Sequence, residues 1–165
     1  MLATSPMGAS TTTHCIGTKG TKTATAPGTA LEVYPCNHSP AQQFNRASTK
    51  SGAGYTYTAG AEGTLCMDFA KYKPKTAVQL APCVAGKASQ QFNNFGAANN
   101  TLLLQAINPV TPSGNTLCIA VSGKKLVLAT CYSSSPAQAF YGYFILEEGR
   151  WPWPGQIRDD RGPHR

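Results

Sequence analysis

Acidic side chains are scarce in this sequence: seven Asp and Glu among 165 residues, with charged residues of both signs making up only 13%. A chain that is 41% hydrophobic and so lightly charged is not a disordered polyelectrolyte. Long apolar runs are also missing, and none approaches the roughly 20 residues that a membrane-spanning helix needs. No membrane span is therefore expected. No Cys-x-x-Cys pair occurs and no histidine stands at metal-ligand spacing, which excludes a zinc site and implies no metal and no cofactor. A secretory signal is absent from Met1 to Ser10, which have neither a basic stretch nor an apolar one.

The materials of catalysis are equally thin. There are only three histidines: His14, His38 and His164. The acids Glu62, Asp68, Glu147 and Glu148 show none of the recurrent pairing that glycosidases use. No nucleophile stands with a base in a recognisable arrangement. The sequence is read as a binding protein, not an enzyme.

The formal charge of +7 raises acidic partners as a class, but the charge is not gathered. Residues 149–165 carry four arginines against two aspartates, a net +2, which leaves +5 spread over the remainder. Only Lys71, Lys73 and Lys75 form a close run. Nothing resembles the interleaving of aromatic and basic residues used to bind single-stranded nucleic acid, so no nucleic-acid partner is expected.

What is present is a repeat. Gln42-Gln43-Phe44, Gln90-Gln91-Phe92 and Gln138-Ala139-Phe140 share a Gln-x-Phe form, and 92 − 44 and 140 − 92 both give a spacing of 48. The steps from Cys36 to Phe44, Cys83 to Phe92 and Cys131 to Phe140 are 8, 9 and 9 residues. Ahead of each of these cysteines runs a stretch of strand-like alternation: 30–34, 77–81 and 125–129. Each unit opens on a cysteine of its own, Cys15, Cys66 or Cys118, and pairing within units gives 15–36, 66–83 and 118–131. Six paired cysteines point to an oxidising, secretory compartment, as do the sequons at Asn37-His38-Ser39 and Asn99-Asn100-Thr101.

A unit of 48 residues with several short strands cannot bury its apolar face alone, whereas three around a pseudo-threefold axis can. The repeated phenylalanines are expected to meet in the shared core, and the glutamines to satisfy backbone groups at turns. Leu65-Cys66-Met67-Asp68-Phe69, continued by Ala77 to Cys83 and by Gln90-Gln91-Phe92, resembles the repeat of the ricin-B-type lectins, also called carbohydrate-binding module family 13. The resemblance runs over about residues 12–146. It implies an all-β fold, a β-trefoil of three pseudo-repeats with three intra-repeat disulfides. Phe replaces the family's usual Trp at Phe44, Phe92 and Phe140. The expected organisation is an N-terminal segment 1–11, a trefoil 12–148, and a disordered Pro- and Arg-rich tail 149–165.

The same resemblance implies where sugar would bind. In the family, Asp lies two residues after the first cysteine, an aromatic two before the second, and Asn just before the Gln. The first repeat has Gly17, Tyr34, Ala41 and Gln42 at these places, and the third has Ala120, Ala129, Ala137 and Gln138. The middle repeat has Asp68, Ala81, Ser89 and Gln90, and is the best candidate. Tyr72, among the three lysines, is a substitute stacking face that would favour an acidic sugar. The candidate carbohydrate-binding residues are thus Asp68, Tyr72, Ser89, Gln90, Tyr34 and Gln42. The bland alternative for Asp68 is a turn cap or a pair with a loop lysine, and for the glutamines a purely structural role.

The function expected is weak glycan binding by a secreted lectin-like module, with galactose-type or acidic sugars as ligands and one competent site. The alternative is a trefoil that has lost sugar binding and acts on a protein partner, as a protease inhibitor or secreted effector. Such an inhibitor needs a protruding loop, for which 46–62 and 107–116 are the candidates.

Overall fold

The computed structural model describes residues 2–4, 14–18, 26–37, 39–50, 52, 54–59, 63–96, 102–107 and 116–142. Among them there is no α-helix, and the short strands form one continuous twelve-stranded antiparallel sheet that closes into a β-trefoil. The first repeat holds β2 (His14–Thr18), β3 (Leu31–Pro35), β4 (Phe44–Ser48) and β5 (Tyr55–Ala59). The middle repeat holds β6 (Leu65–Phe69), β7 (Val78–Pro82), β8 (Phe92–Gly96) and β9 (Leu102–Ala106). The third holds β10 (Leu117–Ser122), β11 (Lys125–Thr130) and β12 (Phe140–Gly142). In each repeat a single 3-10 turn precedes the third strand: Pro40–Gln42, Ala88–Gln90 and Pro136–Gln138.

The third repeat takes its fourth strand from the other end of the chain. β1 (Leu2–Thr4) pairs with β12, Thr4 opposite Phe140, and also with β2, Thr4 opposite His14. In the other repeats, β5 bridges β4 to β6 and β9 bridges β8 to β10. The expected N-terminal segment 1–11 therefore supplies a strand of the sheet, which the repeat spacing did not anticipate. The tail 149–165 lies outside the described residues, as do most of 107–116 and the sequon at Asn99. The other loop offered for an inhibitor, 46–62, is for the most part the β4–β5 hairpin, with Ser48 opposite Tyr55.

The core repeats with the sequence. Ile16, Met67 and Ile119, each directly after a cysteine, are fully buried. The alternating positions Leu31 and Val33, Val78 and Leu80, Leu126 and Leu128 turn inward from β3, β7 and β11. Phe44, Phe92 and Phe140 join the same cluster, and Phe92 meets Phe69 edge-on at 6.0 Å between ring centroids. Phenylalanine thus does the core's work where the family usually has Trp. The disulfides are 15–36, 66–83 and 118–131, as the repeat implied, each with a Cα–Cα distance of 5.0 Å. Each contributes on the order of 3 kcal/mol by restricting the unfolded chain.

Backbone hydrogen bonds tie neighbouring repeats together around the threefold axis. The Leu80 N–H donates to Thr29 O and the Leu128 N–H to Thr76 O, both at 2.9 Å, while the Val33 N–H donates to Lys124 O at 2.8 Å. Each crossing needs a left-handed residue three positions ahead of the buried residue of its strand. Gly28, Lys75 and Gly123 fill these places, with φ of 84°, 68° and 62°.

Candidate carbohydrate site

A shared frame underlies all three candidate places. After each second cysteine the chain leaves its strand, and the turn strands a carbonyl on one side and an amide on the other. A buried glutamine satisfies both. Gln42 donates to Pro35 O at 3.1 Å and accepts from the Asn37 N–H at 2.8 Å. Gln90 donates to Pro82 O and accepts from the Val84 N–H, both at 2.8 Å. Gln138 donates to Thr130 O and accepts from the Tyr132 N–H, both at 2.7 Å. Each glutamine clamps the backbone across its disulfide, including the one in the repeat that retains no other candidate ligand.

In the middle repeat a carboxylate joins that frame. Asp68 lies on β6, whose five residues are all buried, and is itself only 3% exposed. Its Oδ2 accepts from the Lys87 ammonium at 2.7 Å and from Gln90 Nε2 at 3.0 Å. Burial pushes the carboxyl pKa up, but the Lys87, Ser89 and Gln90 side chains beside it, together with the Lys87 charge, outweigh burial and hold it below its ordinary value. Asp68 is therefore ionised at neutral pH. Its Oδ1 is buried and makes no hydrogen bond within the protein. The structure thus brings Asp68, Ser89 and Gln90 together.

Lys87 is the residue that sequence reasoning missed. The lysines singled out, Lys71, Lys73 and Lys75, are exposed on the β6–β7 loop, whereas Lys87 comes from just ahead of the 3-10 turn. The signal was there in the alignment of repeats. Lys87 stands three residues before Gln90, where the other repeats have Ser39 and Ser135, so the cation appears only beside the retained Asp. Tyr72 is engaged elsewhere: its ring packs on Phe69 at 6.0 Å, and its hydroxyl accepts from the Leu117 N–H at 3.0 Å.

The first repeat fills the equivalent space from the opposite strand. A Cβ added at Gly17 would come within 2.7 Å of two Tyr34 ring carbons, so the Tyr34 ring lies over the place that the Asp68 side chain occupies one repeat later. The Tyr34 hydroxyl is buried, which raises its pKa against the opposing influence of the Ser39 and Gln42 side chains. Tyr34 and Gln42 are thus together, but Tyr34 closes the cavity. The third repeat has Ala120 there, buried, beside the clamping Gln138. Among the described residues no group of three or more His, Cys, Asp or Glu is placed to hold a metal ion.

Comparison with known proteins agrees with this architecture. Three similar solved structures are a mosquitocidal holotoxin (14% identity, TM-score 0.58) and the cytolethal distending toxins of Haemophilus ducreyi (16%, 0.56) and Actinobacillus actinomycetemcomitans (15%, 0.58). They are matched over 83%, 85% and 85% of this chain, and over 18%, 81% and 88% of theirs. The chain thus spans about a fifth of the holotoxin, and at these identities the likeness is one of fold. Curated protein sequences give no match. The family model of the ricin-type beta-trefoil lectin domain matches residues 6–140, and on that evidence, with three clamped and stapled repeats, the chain belongs to the ricin-type lectin domain family.

Proposed function

We propose that this domain binds carbohydrate weakly through its middle repeat, with Asp68 accepting hydrogen bonds from sugar hydroxyls and Ser89 and Gln90 completing the polar group. The observation that carries the reading is the state of Asp68. Of three equivalent places, only this one holds a carboxylate, ionised, fixed by Gln90, with its Oδ1 buried and without a hydrogen-bond partner. Once the Lys87 side chain moves aside, such an acceptor suits a sugar hydroxyl.

Lys87 covers the other oxygen from a side chain that is 44% exposed, so its ammonium is free to turn outward. It then either uncovers Asp68 to a neutral, galactose-type sugar or meets the carboxylate of an acidic one. A single shallow site gains strength only by multivalency, so weak monovalent binding is expected. The disulfides suit an extracellular setting, and we place the domain there, with glycans as its partners.

The test is a glycan array probed with the oxidised protein beside Asp68→Asn, which keeps shape and removes charge. Signal that falls at least about tenfold in the variant supports the site, that factor being the worth of one charge-assisted hydrogen bond. Equal signal from both proteins moves the binding elsewhere. A blank array from folded protein turns the reading toward protein contacts.

A further inference from the structure

A second concave surface lies away from Asp68, between the tip of the β4–β5 hairpin and β8. It is a cleft of about 260 Å³ lined by Ser48, Gly52, Gly54, Tyr55, Asn93, Asn94 and Phe95. We propose that this cleft is a second ligand site, for the ring of a neutral sugar, independent of the three places where repeats align.

The shape is built by glycine. Tyr55 pairs with Phe92, which lays the hairpin against β8. The turn is held by the Thr49 N–H donating to Gly54 O at 2.9 Å and the Gly52 N–H to Thr49 O at 3.0 Å. Gly54 has φ of 141°, and a Cβ there would stand 2.7 Å from Phe92 O and 2.8 Å from Ile107 Cδ1. Only glycine lets the backbone come so close, and this approach brings the hairpin tip up to the two asparagines.

The lining selects the ligand class. None of the lining side chains is charged, which disfavours metal ions and strongly anionic ligands. The Asn93 amide and the Ser48 hydroxyl offer both donors and acceptors, as a polyol requires. The Asn94 carbonyl oxygen accepts from the Tyr57 hydroxyl at 2.8 Å and its Nδ2 is buried, so this amide anchors the wall of the cleft instead of contacting a ligand. Phe95 is 49% exposed, one of few large apolar side chains so placed among the described residues. Its face is available for the C–H side of a pyranose. Tyr55 is steadied by the Arg46 guanidinium 4.4 Å above its ring. The volume lies below the roughly 300–1,000 Å³ of pockets for drug-sized molecules, which fits a single ring.

Backbone amide NMR of the oxidised protein tests this, titrated to tens of millimolar with methyl β-galactoside, methyl α-mannoside and N-acetylglucosamine in turn. The result expected with at least one sugar is saturable shifts at Gly52, Gly54, Asn93 and Phe95. They persist in Asp68→Asn and weaken at least about tenfold in Phe95→Ala, the loss of one aromatic platform. Phe95 is exposed enough for that variant to fold, and Asn93→Ala gives an independent check. Shifts confined to the neighbours of Asp68 and Gln90 would overturn the cleft while sparing the middle-repeat site. Shifts at the cleft that Phe95→Ala and Asn93→Ala leave unchanged, or no shifts there with any of the three sugars, would overturn it too.

Discussion

The first and middle repeats place the same frame around the same space and fill it in opposite ways. In the first, Gly17 gives up its side chain and Tyr34 leans across from β3, its hydroxyl beside Ser39 and Gln42. In the middle, Ala81 stands at the place of Tyr34, and Asp68 reaches in from β6 toward Lys87 and Gln90. In this chain the Tyr34 ring from β3 and the Asp68 carboxylate from β6 thus occupy equivalent places, each opposite a residue with little or no side chain. In the first repeat, losing the Asp therefore does not leave an empty site. Tyr34 is the residue most easily mistaken for a stacking face, and here it is the plug.

The largest effect expected from breaking this comparison is steric. Gly17→Asp alone puts a carboxylate into the Tyr34 ring and costs about 1–3 kcal/mol, the usual price of overpacking. Tyr34→Ala alone removes a half-buried ring and also destabilises. The double variant Gly17→Asp/Tyr34→Ala recreates the middle repeat's pairing and loses less than the sum of the singles, by about 1–2 kcal/mol. Urea unfolding of the four proteins measures this coupling directly. Additivity within about 0.5 kcal/mol would mean that the two residues do not compete for one space.

A smaller effect separates the repeats by pH. Asp68 has its folded pKa lowered, so its stabilisation is complete above the unfolded value of 3.8 and fades as pH falls through the folded one. Tyr34 has its folded pKa raised above 10.0, so its contribution is complete below that value and fades as pH climbs beyond it. The middle repeat is thus sensitive to acid and the first to alkali. Asp68→Asn should flatten the acid limb of a stability profile and leave the alkaline limb unchanged, and Tyr34→Phe should do the reverse. Tyr57, its pKa pushed up to about 12 by burial, titrates in both proteins and drops out of the difference. Equal flattening of both limbs by either variant would contradict the assignment.

These contrasts also show which features a sequence can display. Three cysteine pairs and three Gln-x-Phe triplets are periodic, and periodicity reveals core and clamp because equivalent residues do equivalent work. Leu2–Thr4 escaped because three residues carry no period and their partner, Phe140–Gly142, lies at the far end of the domain. Tyr34 escaped because its contact with Gly17 runs diagonally across β2 and β3 and depends on a side-chain rotamer. Lys87 escaped because it lies 19 residues from Asp68 in sequence, and only the fold brings its ammonium to the carboxylate. Tyr72 looked like a loop aromatic, and the loop folds its ring onto Phe69. Each miss concerns a residue whose partner is set by tertiary structure.

The smallest effect concerns the crossing between repeats. Gly28 and Gly123 take the left-handed conformation freely, whereas Lys75 takes it with a Cβ that crowds the backbone, at a cost of about 1–2 kcal/mol. The strain is sustained because the Lys75 N–H donates to Leu128 O at 2.7 Å, part of the tie to the third repeat. Lys75→Gly relieves it but adds freedom to the unfolded chain, worth about 0.4–1 kcal/mol in the other direction. The net expectation is a gain of about 0.5 kcal/mol, read as a rise of a degree or two in Tm. Lys75→Ala retains the Cβ, so it should show no such gain. If alanine stabilised as much as glycine, the lysine's charge and not its backbone would be what sets this crossing apart from the other two.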